Sequence, residues 1–126
     1  MNVPDELRYS TDHEWIRVDG NQVRIGITDY AQDALGDVVF VQIPDVGSAV
    51  ASGAGISEVE STKSVSDIYA PVAGTIVEVN SELDANPERL NADPYGEGWI
   101  CTIEVADAAE LDALLDAEAY RKLIEG

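Results

Sequence analysis

Lysine is almost missing from this chain: there are two in 126 residues, Lys63 and Lys122. Cysteine occurs once, at Cys101, so no internal disulfide can form and a reducing compartment suits the chain. Alternation in Trp99 to Val105 puts Cys101 on one face with Trp99, Ile103 and Val105, which predicts a buried structural thiol. Histidine also occurs once, at His13, with no second Cys or His beside it. That is poor support for a metal site, and a structural hydrogen-bonding role is expected there. No apolar run approaches the roughly twenty residues that span a membrane. The opening residues, Met1 to Glu6, match neither a secretory signal nor an Arg-rich transit peptide, so a cytoplasmic location is expected. No nucleophile–base pair stands in a recognisable setting, and no glycine run forms a phosphate loop. No catalytic residue and no metal ligand is therefore assigned.

Positive charge is scarce as a whole. Seven Lys and Arg face 25 Asp and Glu, giving a formal charge of −18. Nucleic-acid phosphates and anionic membranes would be repelled by most of such a surface. The apolar fraction of 45% is ordinary and supports one core rather than a disordered acidic tail. A single domain, 1–126, is expected, with its core in about residues 12–105 and helices in about 107–125. Acidic residues run through the whole chain, and Arg outnumbers Lys. That bias resembles proteins of a salt-loving prokaryotic cytoplasm more than a merely acidic one.

What is present is mainly β pattern. Trp15 to Val18 and Val23 to Ile27 flank Asp19-Gly20-Asn21-Gln22 and predict a hairpin. Thr28 is placed to cap a short helix over Asp29–Leu35, which Gly36 would end in a left-handed conformation. Val38 to Ile43 is nearly continuous in β-branched and aromatic residues and predicts a buried strand. Two hairpin-like units follow, containing Pro44-Asp45-Val46-Gly47 and Pro71-Val72-Ala73-Gly74. The Pro-x-x-Gly strings lie 27 residues apart with Lys63 between them, which hints at two similar halves, each using Gly for a turn with positive φ. Two unrelated β-turns would give the same spacing. Asn80 to Gly98 reads as loop and Trp99 to Val105 as a last strand. Asp107 and Glu110 have capping-box spacing. Leu111, Leu114 and Leu115, then Tyr120, Leu123 and Ile124, predict two short helices or one bent helix.

Glu60-Ser61-Thr62-Lys63-Ser64 lies between β-type runs, where a carrier would hold one exposed amine. With that scaffold, the sequence resembles the H-protein family of the glycine cleavage system. The strings that carry the resemblance are Tyr9 to Ile16, Val23 to Phe40, Glu60 to Ser64, Tyr69 to Gly74, and Asn91 to Trp99. One Glu-Ser-x-Lys would be a weak motif, whereas five strings in order are specific. The resemblance implies a mainly β, flattened barrel-sandwich hybrid of the biotinyl/lipoyl type, with short marginal helices and a C-terminal helical segment. It implies lipoate in amide linkage on Lys63. Thr62 and Ser64 stand where the family more usually has Val and Ala, a mild departure that preserves small size. Biotin carriers usually flank their lysine with Met, and here the only Met is Met1. The lipoyl domains of 2-oxo-acid dehydrogenases usually carry Asp-Lys-Ala.

The resemblance further implies a carrier rather than an enzyme, within glycine catabolism and one-carbon metabolism. The implied partners begin with glycine decarboxylase (P-protein), which would pass on the aminomethyl group of glycine. An aminomethyltransferase (T-protein) would deliver the one-carbon unit to tetrahydrofolate, and dihydrolipoyl dehydrogenase (L-protein) would reoxidise the arm. A lipoate ligase or a lipoyl/octanoyl transferase would load Lys63. Glu14 and Asp67 are the implied arm-cleft residues, with Asp12 as a third carboxylate. The residues themselves leave solvated acidic positions open as the alternative. Two other functions remain to be weighed: a lipoylated relay module serving other proteins, and an unmodified β-barrel interaction domain.

Overall fold

A computed structural model describes residues 2–125. The chain opens with β1 (Arg8–Tyr9), β2 (Glu14–Asp19), β3 (Gln22–Ile27), α1 (Asp29–Leu35) and β4 (Val38–Val41). It continues with β5 (Ala49–Val50), β6 (Gly55–Ser61), β7 (Val65–Tyr69) and β8 (Gly74–Val79). Then come α2 (Glu82–Ala85), α3 (Arg89–Ala92), β9 (Cys101–Val105), a 3-10 helix (Ala108–Ala113) and α4 (Ala117–Glu125). The strands form two antiparallel sheets, in the orders β1-β2-β3-β9-β8-β5 and β4-β6-β7. Among the described residues no helix is long and apolar enough to cross a membrane.

The main core brings together Ile25 and Ile103 from the larger sheet and Val59 and Ile68 from the smaller one. Each buried branched side chain contributes about 1.5–3 kcal/mol relative to exposure. A second cluster joins Leu7, Tyr9, Trp15, Ala117 and Tyr120, so the core extends beyond residues 12–105 at both ends. Tyr9 and Tyr120 stack there with ring centroids 4.6 Å apart, which fastens α4 to β1.

The β2–β3 hairpin has the two-residue loop Gly20-Asn21, with positive φ at Gly20 alone, the pattern of a type II′ turn. Thr28 caps α1 as expected, its side chain accepting from Ala31 N–H. At the other end Gly36 has φ 82 and ψ −159, which is not the left-handed helical region. It is the extended positive-φ region that essentially only glycine enters. The chain therefore turns straight out of α1 into β4.

Four sequence expectations change. Val38 and Val41 are buried, but Val39 and Phe40 are exposed, because the β4–β6 register shifts between Val38 and Phe40. The stretch expected as loop holds α2 and α3, each anchored by one fully buried leucine, Leu83 and Leu90. Four residues are too few for a helical period to show. After Asp107 the expected two short helices are present, as the 3-10 helix and α4, and Leu115 between them pairs with Tyr9 in a β-bridge. Glu110 reaches Ala73 N–H at 3.3 Å instead of closing a capping box. The glycine repeat also differs. Gly47 (φ 92) has its counterpart in Gly53 (φ 85), each donating to a single residue across a sheet, Ile76 and Ala70. Gly74 serves close packing, since a Cβ there would stand 2.0 Å from Glu104 O.

Candidate functional site

Lys63 occupies the tip of the β6–β7 hairpin. Ser61 N–H donates to Ser64 O at 2.8 Å, closing the turn. Ser61 Oγ accepts the N–H groups of Lys63 and Ser64, both at 3.1 Å. Thr62 N–H donates to Asp37 O at 3.0 Å, which ties the tip to the corner after α1. The small residues around Lys63 are therefore a hydrogen-bonded platform. Lys63 is exposed, and its stem passes Gly36 so closely that a Cβ there would lie 3.0 Å from Lys63 Cε. Asn91 of α3 holds this corner from behind. It accepts Val38 N–H at 2.8 Å and donates to Gly36 O at 2.9 Å and Gln32 Oε1 at 3.0 Å. Lys122, by contrast, lies on α4 within 3.5 Å of Glu118, an ordinary exposed helix pair.

An open cleft of about 280 Å³ starts beside Lys63 and runs between α1 and β7. Its apolar lining includes Ile27, Ala31, Leu35 and Ile68; its polar lining includes Asp12, His13 and Asp67. A long acyl arm with a small polar end fits such a slot, since apolar walls suit the chain and a few acceptors suit the tip. Gly36 leaves the space that the lysine stem needs.

Glu14 stands behind this lining. It is 1% exposed and does not face the cleft. Its Oε2 accepts Tyr69 N–H at 2.8 Å and its Oε1 accepts the Ser10 hydroxyl at 2.9 Å, so it links the larger sheet to the smaller. Burial pushes its carboxyl up to about 7, against the pull of those two hydrogen bonds. The cleft thus gathers Asp12 and Asp67 in its lining, and Glu14 is one layer deeper. Cys101 is fully buried, and burial pushes its thiol up to about 12, so it stays protonated. Gly36, Asn91 and His13 are neighbours of the site that residue-by-residue reading did not place there. Gly36 was legible as a helix stop, not as the neighbour of Lys63.

A flattened two-sheet β-fold that presents a lone hairpin-tip lysine over a cleft defines a carrier of the biotinyl/lipoyl type. Comparison with known proteins narrows the class. The family model for the glycine cleavage H-protein matches residues 7–126. The glycine cleavage system H protein of Mycobacterium tuberculosis is 58% identical over 127 residues, covering 95% of each chain. That of Beutenbergia cavernae is 54% identical over 126 residues, covering 100% of this chain and 99% of the other. The crystal structure of a glycine cleavage system H protein from Mycobacterium marinum superposes with a TM-score of 0.89 at 43% identity, covering 98% of this chain and 100% of that one. The chain belongs to the glycine cleavage H-protein family, and as such is a carrier component rather than a catalyst.

Proposed function

We propose that this chain, as one domain over residues 1–126, is the cytoplasmic lipoyl carrier of glycine cleavage, with lipoate in amide linkage on Lys63. It carries the aminomethyl group of glycine from the pyridoxal-phosphate decarboxylase to the tetrahydrofolate-dependent aminomethyltransferase. Dihydrolipoyl dehydrogenase then restores it, and a lipoate ligase or a lipoyl/octanoyl transferase loads it. The observation that carries this reading is Lys63 itself, exposed on a hydrogen-bonded hairpin tip at the mouth of a cleft.

When bound, lipoate supplies a redox-active disulfide that takes up electrons and a one-carbon fragment together. The protein's residues supply place and protection. The Ser61 platform fixes the amine that is acylated, and acylation removes its charge. A tethered arm has a high effective concentration at whichever enzyme the carrier meets. Asp67 and Asp12 offer acceptors to a cationic cargo. Asp67 is directly opposed across the β6–β7 ladder by Glu58, so two carboxylates share one sheet face, an arrangement that a cation relieves. Glu14 contributes from behind by holding Ser10 and Tyr69 in place.

Mass spectrometry of protein from its own host tests the reading. Lipoate is expected on Lys63 and not on Lys122. Lys63→Arg keeps the charge and removes the acylatable amine, so glycine cleavage should fall to background in a folded protein. Activity that survives this substitution, or lipoate on Lys122, would sink the proposal.

A further inference from the structure

His13 is the one non-glycine residue with positive φ among the described residues, at 66°. That conformation costs about 1–2 kcal/mol, so something must hold it. Its N–H donates to Ser10 O at 3.2 Å and its carbonyl accepts Thr28 N–H at 3.1 Å. Its ring lies 4.8 Å from that of Tyr30 and meets Tyr120 edge-on at 5.7 Å. Nδ1 is 2.9 Å from the Tyr120 hydroxyl, which is 2.7 Å from Thr28 Oγ1. Thr28 Oγ1 in turn accepts Ala31 N–H at 3.2 Å.

The protons in this chain can be counted. Thr28 is fully buried, and its hydroxyl proton has one partner, the Tyr120 oxygen. Tyr120 then donates onward to His13 Nδ1, which must be unprotonated. The reverse direction leaves the Thr28 proton without an acceptor in the interior, at about 1–3 kcal/mol. The imidazole is therefore neutral and carries its proton on Nε2. Nε2 has no protein partner among the described residues and is not buried, and His13 lines the cleft.

We propose that His13 binds the acyl arm of Lys63, its Nε2–H donating to an acceptor on that arm, and that Tyr120 and Thr28 are positioning residues that fix the tautomer. The proposal rests on acylation of Lys63. It adds to the cleft what the carboxylates cannot supply, a neutral donor that does not repel a cationic cargo. The titratable groups around the ring are Asp12 from the β1–β2 turn, Tyr30 from α1, Asp67 from β7 and Tyr120 from α4. Burial holds the imidazole below its usual pKa against the opposing pull of Asp12, in keeping with a neutral ring. The arm has two kinds of acceptor, its amide carbonyl and its sulfurs.

With a single histidine, every imidazole signal in a nitrogen-15 spectrum belongs to residue 13. Spectra would be recorded near neutral pH for unmodified, octanoylated and lipoylated protein, with intact mass confirming each adduct. Unmodified protein should show Nδ1 as an acceptor and Nε2 protonated, and Tyr120→Phe should shift this to mixed tautomers. Acylation should move the Nε2 resonance. A shift with both adducts assigns the carbonyl, and a shift with lipoyl alone assigns a sulfur. A protonated Nδ1 in unmodified protein overturns the positioning role without reference to any cofactor. An Nε2 resonance identical with and without a confirmed adduct overturns arm binding. Failure to form an adduct on Lys63 instead counts against the attachment reading, and the tautomer result still stands or falls by itself.

Discussion

Glu14 and Asp67 are both carboxylates near one cleft, yet burial separates their roles. Below about pH 4.5 Glu14 is protonated in folded and unfolded chains alike. Between its ordinary value of 4.5 and its folded value of about 7, the unfolded chain gives up the proton and the folded chain keeps it. Stability therefore falls as pH rises through that window, by a total on the order of 3 kcal/mol above pH 7. Glu14→Gln retains an acceptor for Tyr69 N–H and a donor for Ser10 Oγ. Its stability relative to wild type should rise by roughly that amount between pH 4.5 and 7.5 in urea unfolding. A difference that stays flat with pH would mean Glu14 is ionised at neutrality. Asp67→Asn should leave the urea-unfolding midpoint at neutral pH near wild type and shorten retention of the aminomethyl cargo several-fold, at equal lipoylation. Equal retention would assign Asp67 to the solvated acidic surface. Sequence alone could flag both carboxylates but not rank them, because burial is a property of packing.

At the level of elements, the corner between α1 and β4 supports the lysine turn. Thr28 and Gly36 mark the ends of α1 in the sequence, and both do so in the structure. What pattern could not show is that this corner, at Asp37, abuts a hairpin tip 25 residues later, at Thr62. The contact is made by Asp37 O and braced by Asn91. Gly36→Ala forces a side chain into a glycine-only conformation and against Lys63 Cε, and should cost about 1–3 kcal/mol in unfolding free energy. Asn91→Ala strips partners from Val38 N–H and Gly36 O, and should cost a similar 1–3 kcal/mol. Both variants should be acylated more slowly at Lys63 under limiting enzyme, since the platform loosens. Wild-type unfolding midpoints in both would show that the corner is not a support.

For the whole molecule, charge is the dominant feature. Arg24, Arg89, Arg121 and Lys122 form ion pairs among the described residues, which leaves most of the 25 carboxylates without a cation. The pairs are largely solvent-exposed and each is worth about 1 kcal/mol or less. Self-repulsion should therefore weaken the fold in dilute buffer and be screened by salt. Raising KCl from dilute to molar should lift Tm, by about 4 °C for each kcal/mol relieved. A melt that hardly moves across that range would argue against adaptation to a salty cytoplasm.

The sequence by itself determined the local pieces: the hairpin at Gly20, the Thr28 cap, the lone cysteine on a buried strand, and a lysine among small residues between strands. These follow from nearest-neighbour backbone chemistry and side-chain period, which act over a few residues. The five ordered strings added the family. Tertiary structure alone decided which carboxylates face the cleft, that Val39 and Phe40 are outside, that Leu83 and Leu90 anchor single helical turns, and that Gly36 borders Lys63. It also decided that the C-terminal helix, through Tyr120, sets the state of a histidine 107 residues away. Those outcomes depend on sheet register, burial and hydrogen-bond direction, which exist only once distant segments have packed.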